Sequence, residues 1–447
     1  MKKLLIALIG IPLIFISCKK NDHNPPQQSK MFTVTIENVS APKMFLGSGV
    51  INTPTGDVKP GPLTPGKKYE FMVKAGKGQN LSFAVMLAAT NDLFFGPNDK
   101  GIALYNKNGE PITADVTDQV HLYDAGTEIN EEPVLGPNTV TNQSAPNTGP
   151  AEHGVVQEIS KVTTDHFNYP SVGSVIKVWV KHLSGYDFMV TIINVSPMDA
   201  LKTSKGNFPA PVSPGVWTIS MNNGALYTLG QSDRGHGLEA IAEDGNPTNL
   251  GGYASANTGI VYPLSPGVWT VSSPGTMPLF KMGAFDYGKG LEAIAEDGNP
   301  ASQGMTLKAT TGIVSSGVFN TPEGASQPAP LGPGMKYTFS FSATHMDDRL
   351  SFATMFVQSN DLIYAPEDEG IRLFNKYTPI SGDITSSLSL WDTGTEVNED
   401  PGYGPNQVMR QSAPNTGVTE HNPVGKVKDS FTYPSVQSVI KVTISSN

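Results

Sequence analysis

Two short acidic turns hold the residues of this chain best suited to chemistry. In Leu122-Tyr123-Asp124-Ala125-Gly126-Thr127-Glu128 two carboxylates stand four residues apart across a glycine, and Leu390-Trp391-Asp392-Thr393-Gly394-Thr395-Glu396 repeats the arrangement. A further carboxylate follows an apolar run in each case: Asp92 after Leu81-Ser82-Phe83-Ala84-Val85-Met86, and Asp361 after Leu350-Ser351-Phe352-Ala353-Thr354-Met355. Three anions gathered by neighbouring loops repel one another unless a cation lies between them. Calcium is the cation that takes roughly six to eight oxygens of this kind. Gly126 permits a tight turn that aims both carboxylates inward. The residues alone leave a second reading open, in which Asp124 merely closes an Asx-turn on its own backbone. Asn130, Glu131, Asn398 and Glu399 beside the turns either complete such a shell or decorate the loop, and decoration is the expectation.

Other chemistry is less well supported. Glu152-His153 and Glu420-His421 recur at matching places, and a histidine beside a carboxylate is an acid/base pair or a metal ligand in some proteins; loop histidines are more often surface groups. Gly61-Pro62-Leu63-Thr64-Pro65-Gly66-Lys67-Lys68 superficially matches a phosphate-binding loop, but its prolines remove backbone donors and a strand pattern follows it. Neither a His-Glu-x-x-His zinc motif nor a Gly-x-Ser-x-Gly nucleophile elbow occurs. Asp124 and Glu128 as a glycosidase pair would require a cleft that the sequence does not announce. Trp217 and Trp269 are candidate stacking platforms for a sugar, with core packing the commoner role of such residues.

The ends and the composition set the surroundings. Met1-Lys2-Lys3, the apolar run Leu4 to Ile16 and Ser17-Cys18 have the regions of a secretory signal, and Cys18, the only cysteine, sits where a bacterial lipobox places its acylated residue. The expectation is a leader over 1–18, a polar tether over 19–30, and a protein lipid-anchored in the bacterial cell envelope, at the outer membrane or cell surface. Removing Lys2 and Lys3 leaves 28 basic against 40 acidic residues, which argues against nucleic-acid binding. A single cysteine rules out disulfides within the chain, so stability must come from burial. The 46 glycines and 36 prolines, without a collagen-like period, fit many short strands joined by turns.

These strands are what must position the carboxylates. Alternation recurs in Phe32, Val34, Ile36 and in Phe188, Val190, Ile192, and again in Tyr69, Phe71, Val73 and in Tyr337, Phe339, Phe341. The copies close with Tyr169-Pro170-Ser171-Val172 and Tyr433-Pro434-Ser435-Val436. The predicted fold is all-β, two tandem antiparallel β-sandwiches over 31–183 and 187–447. The second carries about a hundred extra residues, at 198–304, which the first lacks. That insertion is itself duplicated: Ser213-Pro214-Gly215-Val216-Trp217-Thr218 matches Ser265 to Thr270, and Gly237 to Pro247 matches Gly290 to Pro300. In Leu238-Glu239-Ala240-Ile241-Ala242-Glu243-Asp244 the apolar residues fall on one helical face and Gly245 ends it, predicting a short helix laid on a sheet. Glu239, Glu243 and Asp244 are expected to face outward, as a solvated acidic surface rather than a second cation site.

The frame Leu-Ser-Phe-Ala-x-Met, then Asn-Asp, then Tyr/Trp-Asp-x-Gly-Thr-Glu, resembles the spondin domain, and Gly-Leu-Glu-Ala-Ile-Ala-Glu-Asp-Gly is similar to a phrase of its bacterial members. The resemblance covers Phe32 to the C-terminus in two copies. It implies a β-sandwich with one calcium ion per domain, held by Asp92, Asp124 and Glu128 in the first copy and by Asp361, Asp392 and Glu396 in the second. Animal members usually carry Asp at the last position and use disulfides, and this chain departs from both habits. The expected function is adhesion or ligand binding without catalysis, towards an extracellular protein or glycan. The alternative is a cell-envelope carbohydrate-binding protein or carbohydrate-active enzyme.

Overall fold

The computed structural model describes residues 29–447; the expected leader, Cys18 and the tether up to residue 28 lie outside the described residues. The described chain is all-β, built of antiparallel sheets with six short α-helices.

Strand Lys30–Asn38 shows how alternation becomes packing. Phe32, Val34 and Ile36 are fully buried while Thr33 and Thr35 face outward, where Thr33 bonds Ser340 across the sheet at 2.9 Å. Strands Asn80–Leu87 and Arg349–Phe356 do not alternate, because both their faces are covered. One face packs into the core between two sheets, and the other meets helices.

The strands assemble into two similar units, each with two sheets facing one another across an apolar core. In one unit the smaller sheet runs Lys68–Lys74, Asp187–Asn194, Ile176–Ser184, Thr113–Asp115. Its larger sheet runs Gly47–Ile51, Val212–Ser220, Asn80–Leu87, Leu93–Pro97, Val120–Asp124, Gln157–Glu158. The other unit repeats both orders, with Lys336–Ala343, Lys30–Asn38, Ile440–Ser446, Gly382–Asp383 in the smaller sheet. Its larger sheet is Ile313–Phe319, Leu264–Ser272, Arg349–Phe356, Leu362–Pro366, Leu388–Asp392, Gly425–Lys426.

This connectivity corrects the linear division at residues 183 and 187. Lys30–Asn38 lies second across the smaller sheet of the unit that otherwise begins at Leu264, although it comes first along the chain, whereas Asp187–Asn194 belongs to the unit of residues 47–184. Val212–Ser220 and helices Leu238–Asp244 and Thr248–Ala256 also belong to that unit, so the first copy is not trimmed: each unit owns one half of the duplicated insertion. The inner unit (about residues 43–258) is therefore inserted between the first and second strands of the outer unit. In the inner unit the order is permuted, and the elements that open the outer unit come last. The turn at Gly185 explains the choice. Ile176–Ser184 and Asp187–Asn194 form a tight hairpin, and a local closure of this kind costs less chain entropy than recruiting residues 30–38. The two crossing segments run side by side, with Met44 and Phe45 amides donating to Asn257 O at 3.0 and 3.2 Å.

Trp217 and Trp269 lie in this framework at the edges of the cores. The Trp217 ring stacks on Phe71 at 5.7 Å, and the Trp269 ring on Phe339 and Phe341 at 5.3 and 5.5 Å. Each indole lies over a glycine of the next strand: a Cβ on Gly49 would stand 2.6 Å from Trp217 Nε1, and one on Gly317 2.7 Å from Trp269 Nε1. Gly49→Ala is therefore expected to destabilise the inner unit by about 1–3 kcal/mol through overpacking. The readout is the urea midpoint, and an unchanged midpoint would show that the indole moves freely.

Candidate metal centre

Asp92 immediately precedes strand Leu93–Pro97 and Asp124 ends strand Val120–Asp124. Leu93 pairs with Asp124 across the sheet, and Ala125 N donates to Asp92 O at 3.0 Å, so the two carboxylates meet at one end of the sheet. Gly126 then turns the chain with φ 71°. A Cβ there would lie 2.6 Å from Val155 N, because residues 151–156 cross over the turn. Glu152 N donates to Thr127 O at 2.9 Å and Gly154 N to Gly126 O at 2.7 Å. That crossing delivers Glu152 to the site.

Carboxylate oxygens of Asp92, Asp124 and Glu152 lie within 4.8 Å of one another, as do those of Asp361, Asp392 and Glu420 in the outer unit. Among the described residues these are the two groupings of three such side chains. Of the six residues expected as ligands, the structure brings together Asp92 with Asp124, and Asp361 with Asp392. Glu128 and Glu396 stand apart from the clusters, although both are buried. Glu128 accepts from Gly149 N at 2.6 Å and from Asn91 Nδ2 at 3.2 Å, and Glu396 accepts from Gly417 N and Asn360 Nδ2 at 2.8 and 3.1 Å. These two glutamates clamp the Gln-Ser-Ala-Pro-Asn-Thr-Gly loops at 143–149 and 411–417. Glu152 and Glu420, read from sequence as partners of a histidine, supply the third carboxylate, while His153 and His421 are exposed. The signal that could have found them is their recurrence at one offset behind both loops.

Hydrogen bonds hold the carboxylates in place. Asp92 accepts from Thr127 N at 2.8 Å, Thr127 Oγ1 at 2.6 Å and Glu128 N at 3.1 Å, and Asp361 accepts from Thr395 N at 2.9 Å and Glu396 N at 3.2 Å. Asp124 accepts from Gly126 N at 2.6 Å and from Asn130 Nδ2. Asp124 thus closes an Asx-turn and also belongs to the cluster, so the two readings of the sequence coexist. Since Asn130 turns its amide nitrogen to Asp124, its Oδ1 is left buried with no hydrogen-bond partner, and Asn398 repeats this beside Asp392. Glu131 and Glu399 instead bind Asn138 and Asn406 within their loops.

Electrostatically, both clusters favour a cation. Burial, then the neighbouring Asp124, pushes Asp92 well above the usual carboxylate range. Burial and Glu152 push Asp124 up to about 6, and burial holds Asp361 at about 8. The outer cluster opens into a cleft of about 380 Å³ that Lys426 and Lys428 also line. No protein-family model matches the chain, and no curated protein matches it. Among the described residues, no helix is long and apolar enough to cross a membrane.

Proposed function

We propose that the protein is a lipid-anchored envelope protein whose two spondin-like sandwiches each hold a calcium ion, and that it binds an extracellular protein or glycan without turnover. The observation that carries this reading is the twinned arrangement of three clustered carboxylates beside a buried, partnerless Asn Oδ1. Three carboxylates, with no histidine or cysteine among the clustered side chains, form a donor set for a hard cation. Asp92 and Asp124 come from strand ends and Glu152 from the crossing loop, so an ion between them would tie the loops at one end of the sandwich into a fixed surface. Sugar stacking on Trp217 and Trp269 is less favoured, since aromatic neighbours in the cores already cover these rings.

Calcium titration calorimetry tests the proposal. Asp124→Ala and Glu152→Gln are expected to weaken the inner site at least about tenfold, roughly 1.4 kcal/mol. Asp392→Ala and Glu420→Gln should do the same to the outer site. Glu128→Gln should leave calcium binding in place while loosening the 143–149 loop. Binding lost with Glu128→Gln but retained with Glu152→Gln would reassign the ligand, and no calcium-dependent heat at either cluster would remove the metal from the account.

A further inference from the structure

Helices Leu238–Asp244 and Leu291–Asp297 lie on the outer faces of the larger sheets, with Leu238, Ile241 and Ala242, and their counterparts, packed against strand residues. Glu243 and Glu296 do not face solvent as their spacing suggested: they are 1 % and 2 % exposed. Neither carboxylate oxygen of Glu243 has a hydrogen-bond partner. The nearby Thr127 hydroxyl is committed to Asp92, at 2.6 Å. In the outer unit Glu296 Oε1 lies 2.6 Å from Thr395 Oγ1, which also stands 2.8 Å from Asp361 Oδ1, and Glu296 Oε2 has no partner. One hydroxyl hydrogen cannot serve both carboxylates. By contrast, the neighbouring buried Glu128 and Glu396 have donors on both oxygens.

A buried carboxylate without donors is costly. The surroundings add negative charge. Each glutamate sits in the last turn of its helix, at the carbonyl end, with no basic residue in that turn. Glu239 and Asp244, or Glu292 and Asp297, line the crevices beside them, of about 550 and 290 Å³, and no Lys or Arg lines either one. Burial, reinforced by Glu128 or Glu396 alongside, pushes both glutamates up to about 8. Asn147 and Asn415, both with positive φ, cap the acidic helix from the opposite wall by donating to Glu239 at 2.8 Å and Glu292 at 3.0 Å.

We propose that each unit carries a second cation site, on Glu243 in the inner unit and Glu296 in the outer, that takes a hard divalent cation, calcium or magnesium, through oxygen ligands. The orphaned carboxylate supplies the protein's direct ligand, and water in the crevice completes the shell, as is usual where only one or two carboxylates are available. Oxygen donors common to both crevices exclude a site for a soft metal, since the one histidine, His236, lines only the inner crevice. This site uses a different carboxylate from the Asp92 and Asp361 clusters, to which the Thr127 and Thr395 hydroxyls join it, and the test separates the two.

Equilibrium dialysis of the full chain against calcium at about pH 8, with magnesium in a parallel series, counts bound ions. Four ions per wild-type chain are expected, falling to two in Asp124→Ala/Asp392→Ala and to two in Glu243→Gln/Glu296→Gln. A wild-type count of two that Glu243→Gln/Glu296→Gln leaves unchanged would overturn the proposal. Two ions lost only with the glutamate pair would support it while refuting the Asp clusters. Should the Gln pair fail to fold, the other counts still decide: four and two support the second site, two and none reject it.

Discussion

Deleting residues 30–38 is expected to unfold the outer unit and spare the inner one, although the rest of the outer unit begins only at Leu264. The strand lies between Lys336–Ala343 and Ile440–Ser446 and pairs along its length with both. Its loss strips Phe32, Val34 and Ile36 from the core, each worth about 1.5–3 kcal/mol of burial. It also leaves two strand edges unpaired. Against a typical total of about 5–15 kcal/mol, that is enough to unfold the unit. Limited proteolysis with mass spectrometry should find residues 264–447 digested and a fragment near 43–258 protected. A synthetic peptide of sequence Lys30–Asn38 should restore protection by strand addition. An outer unit that stays protected without the strand would contradict the pairing.

In chelator, the protein is expected to melt at a lower temperature at about pH 8 than at about pH 5. Asp124 is raised to about 6, and Asp361, Glu243 and Glu296 to about 8. Folded chains hold protons at these groups that unfolded chains release, so the stability they contribute is full below the unfolded value near 4 and is lost as pH rises through the folded values. A net displacement of two pH units at one carboxyl is worth about 3 kcal/mol. That corresponds to roughly 6–12 °C for a unit of this size. Calcium, by stabilising the ionised forms, should flatten the dependence. A melting temperature that rises with pH in chelator would mean that these carboxyls are already ionised in the folded state.

Much of this architecture is legible in the sequence, and the parts that are not have identifiable causes. Alternation marks which side chains of Phe32-Thr33-Val34-Thr35-Ile36 face a core, but it does not say which core, because Phe188-Met189-Val190-Thr191-Ile192 carries the same pattern and fits the same kind of slot. The doubled Ser-Pro-Gly-Val-Trp-Thr segment held the missing information: two units that each need one copy must divide the pair. Asp92 and Asp124 stood out because they flank strands and repeat. Glu152 did not, since it is brought in by a loop crossing 28 residues beyond Asp124. Glu128 attracted attention by its spacing and by the resemblance, and neither reveals which main-chain amides a carboxylate in a turn will meet. Glu243 illustrates the same limit in a helix: three apolar residues fix the inward face, but they do not reveal that the Thr127–Glu128 turn lies against a polar neighbour as well.

The pairing of Phe32 with Ser446, and the bond of 3.0 Å from Asn447 N to Met31 O, bring the two ends of the described chain to one corner of the outer unit. A tag fused after Asn447 would emerge beside the start of strand Lys30–Asn38. Tension applied at Lys30 and resisted by the inner unit would run lengthwise through a single strand and into residues 39–46. To extract the strand it would have to slide both ladders in shear, and so the outer unit works as a clasp around the line that carries the inner one.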